Sequence, residues 1–469
     1  MINIRLMTAI LAGKVVGFAS RRLGRGGGTN LPGLVARRIY PATLRALSAR
    51  LKGGVILVAG TNGKTTTTRM IATALENAGR HVLHNRAGAN LVSGLTASTL
   101  AGSSLHGQLQ AELGLFEVDE AALPQAIAET NPRLVLLHNL FRDQLDRYGE
   151  VDTIMRQWRT ALERLPASAT VLLNADDPST AYLGQGLQAR VRYYGLDDLR
   201  HASDSGVHIA DAQFCKHCGE RYDYQPRFYA HIGHYVCPHC GARRPQPDMT
   251  LMQLDLHGER GAELLIGQDK GEPFALHIGI PGLYNALNAL AATAALLELG
   301  VPREQIQATM AHFSAAFGRI ERVDAAGRPL LLALIKNPIG ASETVRMLTE
   351  QPAGEPAVQL ALLIIINDRH ADGTDVSWLW DADFERLAGH VANVVVSGTR
   401  AADMAVRLKY AGIEPQSIQL EPDMNIALDL ALKSTPAATT LYVLPTYTAM
   451  LELREILVAR GWVRPFWED

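Results

Sequence analysis

The architecture of this chain follows from the stretch Val55-Ile56-Leu57-Val58-Ala59-Gly60-Thr61-Asn62-Gly63-Lys64-Thr65-Thr66-Thr67-Thr68. An apolar run rich in β-branched residues ends in a glycine-containing turn, and a predicted helix follows as far as Leu75. Glycine lets backbone N–H groups approach phosphate oxygens, and the start of a helix adds partial positive charge. Lys64 can reach the β- and γ-phosphates of a nucleotide, and the Thr65 hydroxyl can bind Mg²⁺. The stretch therefore predicts a nucleotide-binding α/β domain.

Length and composition limit the class of protein. A chain of 469 residues is too long for one hydrophobic core and indicates two or three domains. Hydrophobic residues make up 47%, charged residues 20%, and the net charge is −2, which is ordinary for a globular protein and gives no sign of nucleic-acid binding. No apolar run reaches the ~20 residues that span a bilayer. We expect a cytoplasmic protein without a nucleic-acid partner.

Further strands predict where a metal could sit in the first domain. Apolar runs at 113–118, 134–137 and 171–174 alternate with helical stretches, which is typical of a parallel α/β sheet. Glu117 lies at the end of the first of these runs. Because the carboxyl ends of parallel strands face the ligand crevice, Glu117 is expected to reach the metal at Thr65. Asp119 and Glu120 are expected to be solvated or to cap the backbone.

The four cysteines form two C-x-x-C pairs separated by eighteen residues: Cys215, Cys218, Cys237 and Cys240. This spacing predicts one tetrahedral Zn²⁺ site, and four thiolate ligands leave no position for water, so the zinc would be structural. Paired cysteines without a convincing secretion signal also favour a reducing compartment. The surrounding tyrosines and phenylalanines predict a small β-hairpin module inserted at about residues 205–248.

The remaining chain predicts a smaller C-terminal α/β domain over residues 324–469, after a central domain over 51–323. Its strands are predicted at 330–335, 361–366, 391–396 and 440–444. The loop at 367–375 follows one of these strands and carries three carboxylates, so it occupies a position where sites form.

The N-terminal segment, residues 1–50, is predicted to be helical and basic, because no Asp or Glu occurs before Glu76. It could pack as an amphipathic helix on the central domain, or it could lie near anionic lipid. The second possibility would place the protein peripherally at the inner face of the cell membrane.

Taken in order, several motifs resemble the Mur ligase family: Gly60 to Thr65, Glu117, Asn174-Ala175-Asp176-Asp177-Pro178, Asn285 with Asn288, and Arg319. The loop is shorter than the common phosphate-binding loop, since Val58 stands where that loop has its first glycine. The resemblance implies that ATP phosphorylates a carboxylate and that an amine attacks the acyl phosphate. It implies a second-metal role for Glu117 and binding of the nucleotide by Gly60, Thr61, Asn62, Gly63, Lys64, Thr65, Thr66, Asn288 and Arg319.

Departures from the common pattern indicate a subgroup of the family. The domain that grips UDP is missing, Gln144 replaces a metal-binding histidine, and the zinc knuckles are foreign to ordinary members. Matching segments occur at 141–149, 336–338 and 371–378. The subgroup resembled consists of ligase-like subunits that amidate the α-carboxylate of D-glutamate in lipid II. Their ammonia comes from a separate GatD-like glutaminase, which here agrees with the absence of any cysteine outside the zinc pairs to act as nucleophile.

The resemblance also assigns Asp375 as a catalytic residue at the face where the glutaminase docks. Asp375 could orient the partner's Cys–His pair as the third member of a triad, or it could guide ammonia or the acyl phosphate. It could also simply cap its own loop.

Two other functions remain open from the sequence alone. One is a stand-alone Mur or folylpolyglutamate-type ligase that adds an amino acid. The other is a zinc-ribbon module that binds a partner such as nucleic acid and uses ATP only as a switch, although outside the nucleotide loop and the N-terminus no basic patch interleaved with aromatic residues supports it.

Overall fold

The structure is a computed structural model, and it describes residues 4–22, 30–85, 89–141, 151–203, 211–313, 319–325, 327–350, 359–436 and 439–464. The helices are α1 Ile4–Arg22, α2 Leu31–Ile39, α3 Thr43–Ser48, α4 Lys64–Asn77, α5 Val92–Ala101, α6 Leu123–Thr130, α7 Val151–Leu162, α8 Pro178–Leu183, α9 Leu283–Glu298, α10 Arg303–Ala311, α11 Pro338–Thr349, α12 Ala401–Tyr410, α13 Met424–Ser434 and α14 Tyr447–Ala459. The strands are β1 Gly54–Ala59, β2 Val82–His84, β3 Leu113–Glu117, β4 Leu134–Leu137, β5 Thr170–Asn174, β6 Arg190–Leu196, β7 Asp223–Tyr229, β8 Ile232–Val236, β9 Met249–Leu256, β10 Ala262–Gln268, β11 Phe274–Ile278, β12 Arg319–Asp324, β13 Pro329–Ala333, β14 Leu360–Ile365, β15 Val391–Ser397, β16 Ile418–Leu420 and β17 Leu441–Pro445.

The first sheet has nine strands in the order β11-β10-β9-β6-β5-β4-β1-β3-β2. The six strands β1 to β6 pair in parallel, and β1 lies between β3 and β4. This confirms the predicted α/β class with a parallel sheet. The sequence did not indicate that β10 pairs antiparallel with β9 and β11, which extends one edge of the sheet.

Helices cover both faces of this sheet, because successive side chains of a strand point to opposite sides. Ile56 and Val58 of β1 join the core formed with α4, α9 and α10. Leu57 of β1 joins the core on the other face, formed with α5, α6 and α7. The fully buried Trp158 of α7 is the largest side chain in that second core. Burial on both faces explains why β1 is apolar without alternation.

The second sheet has six strands in the order β12-β13-β17-β14-β15-β16 and confirms the smaller C-terminal α/β domain. All its pairings are parallel except that of β12 with β13. The predicted boundary between residues 323 and 324 therefore divides strand β12, and the second sheet begins at Arg319. The sequence did not predict this strand, because it contains few apolar residues and its pairing strand, β13, belongs to the C-terminal domain.

The cysteine-containing insertion and the N-terminal helices are attached to the first sheet. Strands β7 and β8 form an antiparallel hairpin between β6 and β9, within the range predicted from the cysteines. Helices α1, α2 and α3 share a small core with Leu100 of α5. Among the described residues, no helix has the length and apolar content needed to cross a bilayer.

Candidate nucleotide site

The loop between β1 and α4 brings α9 close to the start of α4. Gly63 has a φ of +91°, and a Cβ at this position would lie 2.2 Å from Oδ1 of Asn288. A side chain here would displace the Asn288 amide and would have to adopt a left-handed backbone conformation, so glycine suits both the turn and the close approach. The structure thus brings two predicted nucleotide-binding residues, Gly63 and Asn288, into contact distance.

Lys64 directs its ammonium group back into this loop. Its Nζ donates hydrogen bonds to the carbonyl oxygens of Gly60 and Thr61, the latter at 3.2 Å, and forms an ion pair with Glu120 at 3.2 Å. Glu120 is only 6% exposed, and its carbonyl oxygen accepts a hydrogen bond from Trp158. The expectation of a solvated or capping Glu120 was wrong, because packing of α7 buries this residue beside the lysine.

Thr65 and Glu117 meet at the carboxyl end of β3. The Thr65 hydroxyl donates to Oε2 of Glu117 over 2.7 Å. Asn85, which follows β2, bonds both the N–H and the carbonyl of Glu117 and fixes its backbone. Two oxygen ligands from a hydroxyl and a carboxylate fit Mg²⁺, which usually keeps several waters and phosphate oxygens as its other ligands. The geometry is compatible with the predicted magnesium ligands.

A cleft opens between this loop and the C-terminal domain, and the space within it and at its open mouth amounts to about 900 Å³. It is lined by loop and helix residues from the first domain and by β13, α11 and the segment between them, including Asn62, Gly63, Thr66, Asn285, Asn288, Lys336, Ile339 and Glu343. Two of its lining atoms, Nδ2 of Asn62 and Nε2 of His138, are buried without a hydrogen-bond partner in the described part of the chain. Buried polar atoms are normally paired, so both are available to a polar ligand such as a nucleotide.

His138 is a cleft residue that the sequence did not single out. Burial, together with the nearby Lys64, lowers its pKa to about 3, so its imidazole is neutral at physiological pH. Its Nδ1 lies 3.2 Å from the hydroxyl of Tyr194, which holds the ring. The signal available in the sequence was its position directly after β4, at the edge where ligands bind.

One side chain joins the C-terminal domain to the phosphate-binding loop. Asn337 donates from Nδ2 to Oδ1 of Asn62 over 3.1 Å. Its own Oδ1 accepts the N–H of Gly340 over 2.8 Å and caps the start of α11. The orientation of α11 is therefore set against the loop itself.

Glu343 of α11 is a carboxylate buried in the wall of the cleft. Burial raises its pKa to about 7, although Arg346 opposes the rise. Arg346 is itself bound to Glu350 and to the carbonyl of Phe228. Among the described residues, no side chain makes a hydrogen bond or ion pair with the Glu343 carboxylate. Ionised Glu343 therefore lowers the stability of the folded state through its uncompensated desolvation.

Glu343→Gln is expected to stabilise the protein at alkaline pH. The folded state holds the Glu343 proton up to about pH 7, whereas the unfolded chain releases it near its ordinary pKa of 4.5. Stability therefore falls as pH rises between these values, and the full penalty is present above pH 7. The free energy of unfolding at pH 8 should rise by about 3 kcal/mol in the variant, with little change at pH 4. Chemical denaturation at both pH values, with exposed Glu455→Gln as control, measures this. An equal effect at both pH values would contradict it.

Several predicted residues are placed differently with respect to the cleft. Arg319 begins β12, but its side chain is outside the described residues, as is the whole 142–149 motif. Asp375 is exposed and does not line the cleft; its Oδ1 accepts the N–H of Ser377 at the start of a 3₁₀ helix, Ser377–Trp380. The neighbouring Asp372 is buried and bonds the N–H and hydroxyl of Thr448. Asp375 thus caps its loop through one carboxylate oxygen and lies at the exposed surface.

The four cysteine sulfurs form a single cluster, in which the Sγ atoms all lie within 4.8 Å of one another. Sγ of Cys215 is 3.6 Å from that of Cys240, and Sγ of Cys218 is 3.4 Å from that of Cys237. A tetrahedral Zn²⁺ with Zn–S bonds of about 2.3 Å has sulfur–sulfur edges of about 3.8 Å. The donor set and its spacing fit zinc.

The hairpin of this cysteine module reaches the nucleotide cleft, which the sequence did not indicate. Tyr229, at the end of β7, lines the cleft. The carbonyl of Phe228 accepts a hydrogen bond from Nη1 of Arg346 in α11 over 2.9 Å. Directly before β8, the fully buried His231 places Nε2 3.4 Å from the Asp177 carboxylate. The module is therefore in contact with both domains that form the cleft.

Two parts of the chain match known protein families. Residues 58–225 match the Mur ligase middle domain, and residues 334–450 match the MurT ligase C-terminal domain. The chain is 34% identical to the lipid II isoglutaminyl synthase (glutamine-hydrolyzing) subunit MurT of Streptococcus pneumoniae, over 98% of this chain and 99% of that protein. It is 32% identical to the subunit of the same name from Staphylococcus aureus, over 97% and 98%.

A solved structure shows the same fold. MurF ligase from Thermotoga maritima in complex with ADP superimposes with a TM-score of 0.64 at 14% identity, covering 91% of this chain and 84% of that one. Together with the MurT relatives, the nucleotide loop and the Mur ligase middle domain define an ATP-dependent ligase of the Mur type. Because it is 34% and 32% identical to two MurT subunits over nearly its whole length, the chain belongs to the MurT family.

Proposed function

We propose that this chain is the ligase subunit that amidates the α-carboxylate of D-glutamate in the stem peptide of lipid II, giving D-isoglutamine during peptidoglycan biosynthesis. The observation that carries the proposal is the match to a lipid II isoglutaminyl synthase subunit over 98% of the chain, because it includes the nucleotide domain and the C-terminal domain together.

The reaction divides into two balanced steps. A carboxylate oxygen of the substrate attacks the γ-phosphorus of ATP, which forms an acyl phosphate and releases ADP. Ammonia then attacks the carbonyl carbon, phosphate leaves, and the nitrogen loses a proton to give the amide. Activation is needed because a carboxylate is a poor electrophile, and positioned positive charge supplies most of the catalysis.

The residues of the cleft divide these tasks. The Gly60–Gly63 backbone and Lys64 would hold the β- and γ-phosphates, and Asn288 and Arg319 would contact the rest of the nucleotide. Thr65 and Glu117 would hold Mg²⁺, which neutralises charge on the phosphates when bound. Support comes from the hydrogen bond between Thr65 and Glu117 and from the orphaned atoms of Asn62 and His138.

Ammonia must be supplied by a partner or by free ammonium. All four cysteines of the chain belong to the sulfur cluster, so none is available as the nucleophile of a glutaminase. We propose a GatD-like glutaminase as the second subunit of a heterodimer, with Asp375 at the docking surface. The names of the relatives support this, since each is called a subunit of a glutamine-hydrolyzing synthase.

We propose that the cysteine cluster binds a structural Zn²⁺ and that Cys218→Ser removes it. Cys218 is exposed, so serine leaves packing unchanged while replacing a thiolate by a poor zinc ligand. Elemental analysis should find zinc in the wild-type chain and less than a tenth as much in the variant, with lower thermal stability. His217→Ala, one residue away, is the matched control and should retain zinc. Full zinc occupancy in Cys218→Ser would contradict the assignment.

The reaction would take place in the cytoplasm at the inner face of the membrane, where a lipid-linked substrate carries its peptide. Purified chain supplied with lipid II, ATP and ammonium should release ADP and convert the substrate to its amide, detected by mass spectrometry of the muropeptide. If amino acids support ADP release and ammonium does not, the chain is instead an amino acid ligase. No ADP release with either would refute ligase activity.

A further inference from the structure

Helix α1 carries a row of exposed apolar side chains along one face. Ile4 is 75% exposed, Leu11 52%, Val15 58% and Phe18 58%. Steps of seven, four and three residues keep these side chains on one face of a helix. We call these four residues the N-terminal apolar face. Leu31 and Leu34 add two half-exposed leucines at the start of α2, which packs beside α1.

The opposite side of α1 is already occupied. Leu6, Ala9 and Ile10 are buried in the core shared with α2, α3 and α5. Gly13 lies so close to α2 and α5 that a Cβ would be 2.8 Å from Leu100 and 3.1 Å from the Pro32 carbonyl. A helix that is apolar on both sides is typical of one that buries both. The exposed face is therefore suited to a second apolar environment.

The charged residues of the N-terminal segment itself are all of one sign. The first 52 residues contain ten Lys or Arg and no Asp or Glu. Arg22 continues the row one turn beyond Phe18, with its guanidinium 5.4 Å from the Phe18 ring centroid. Arg5 and Arg38 are also exposed. Basic groups beside an apolar helix face complement the headgroups of anionic phospholipids.

The face flanks the catalytic edge of the first sheet. Helix α2 begins against the start of α5, since a Cβ on Gly33 would overlap the Ser93 carbonyl. Helix α5 follows the carboxyl end of β2, and the carbonyl of Asn90 in that connection accepts the N–H of Asp119, two residues after Glu117. Leu91 in the same connection is 43% exposed. A surface bound along α1 and the start of α2 would thus lie next to the edge that carries the site.

We propose that the N-terminal apolar face docks on an anionic phospholipid bilayer, with its apolar side chains in the interfacial layer and Arg5, Arg22 and Arg38 at the headgroups. The choice of a bilayer over a protein rests in part on the proposed function, because a lipid-linked substrate lies in that surface. Docking brings the site to the stem peptide and does not take part in the chemistry.

The test is flotation of the full-length chain with vesicles that contain no lipid II. Vesicles of phosphatidylcholine with phosphatidylglycerol should bind the chain about tenfold more than vesicles of phosphatidylcholine alone. The triple variant Leu11→Ser, Val15→Ser, Phe18→Ser should reduce binding to the anionic vesicles by about tenfold or more. Its matched control replaces three exposed apolar residues elsewhere, Val406→Ser, Tyr410→Ser and Ile426→Ser, and should bind as wild type does.

Each other outcome overturns the proposal. These are no vesicle binding by the wild type, equal binding to neutral vesicles, or undiminished binding by the triple variant. If the triple variant still binds vesicles but no longer binds a second copy of the chain or the glutaminase subunit, the face forms a protein contact instead. Amidation of lipid II dispersed in detergent, with ATP and ammonium, is measured separately, and the triple variant should keep the wild-type rate. Failure of that reaction in the wild type would refute the proposed function and leave the vesicle result standing.

Discussion

Lys64→Ala is expected to lower the rate of ATP-dependent amide synthesis by on the order of a thousandfold. The ammonium group of Lys64 lies inside the loop, bonded to the carbonyls of Gly60 and Thr61, where the phosphates of a nucleotide would bind. Positive charge that is already positioned needs no reorganisation during phosphoryl transfer, and alanine removes it entirely. ADP release in the presence of lipid II and ammonium is the measurement.

A stability control separates this effect from misfolding. Removing Lys64 breaks its buried ion pair with Glu120 from one side, which costs about 3–5 kcal/mol. Lys64→Ala combined with Glu120→Gln removes both charges and should recover most of the lost stability while staying inactive. If either variant that lacks the lysine turned over at the wild-type rate, the loop would not be the site of phosphoryl transfer.

Asp375→Asn is expected to lower the rate of glutamine-dependent amidation by the complex by about a hundredfold or more. Folding and zinc content should stay unchanged. Asparagine keeps an oxygen that can accept the N–H of Ser377, so the start of the 3₁₀ helix is preserved and only the negative charge is lost. Asp381→Asn, on the exposed surface just after that helix, is the matched control and should retain activity.

The source of nitrogen then distinguishes the two roles of Asp375. If the carboxylate orients the partner's Cys–His pair, free ammonium restores amidation in the variant, because the ligase site is intact. If it guides ammonia or acts on the acyl phosphate, ammonium does not restore it. Wild-type turnover of Asp375→Asn with glutamine would remove this residue from the mechanism.

The parts of the structure that were predictable are those that depend on short stretches of chain. A strand, Gly60, Gly63 and a helix start are adjacent in sequence, so the loop could be recognised before its surroundings were known. The cysteine cluster was predictable for a related reason: C-x-x-C spacing already brings two thiols together, and only one distance between pairs has to be inferred. Glu117 was placed correctly at a strand end because parallel strands share one ligand-facing edge.

Residues that depend on contacts between distant segments were missed. Glu120 lies beside Asp119 in an ordinary acidic turn, and only the packing of Trp158 thirty-eight residues later shows that it is buried. The Asn337 contact with Asn62 spans 275 residues, and Tyr229 enters the cleft from an inserted module. Neither leaves a periodic pattern in the sequence, because each is set by tertiary packing.

The hydrogen bond between Arg346 and the Phe228 carbonyl has a mechanical consequence. Enzymes built of two lobes open and close to admit substrates and release products, and here the bond joins the cysteine-containing hairpin module of one lobe to helix α11 of the other. Any opening of the cleft must stretch or break this hydrogen bond, or move the hairpin module together with α11. Disorder in the hairpin module would therefore loosen the contact between the two domains. Turnover would slow even though every group that touches the nucleotide stayed in place.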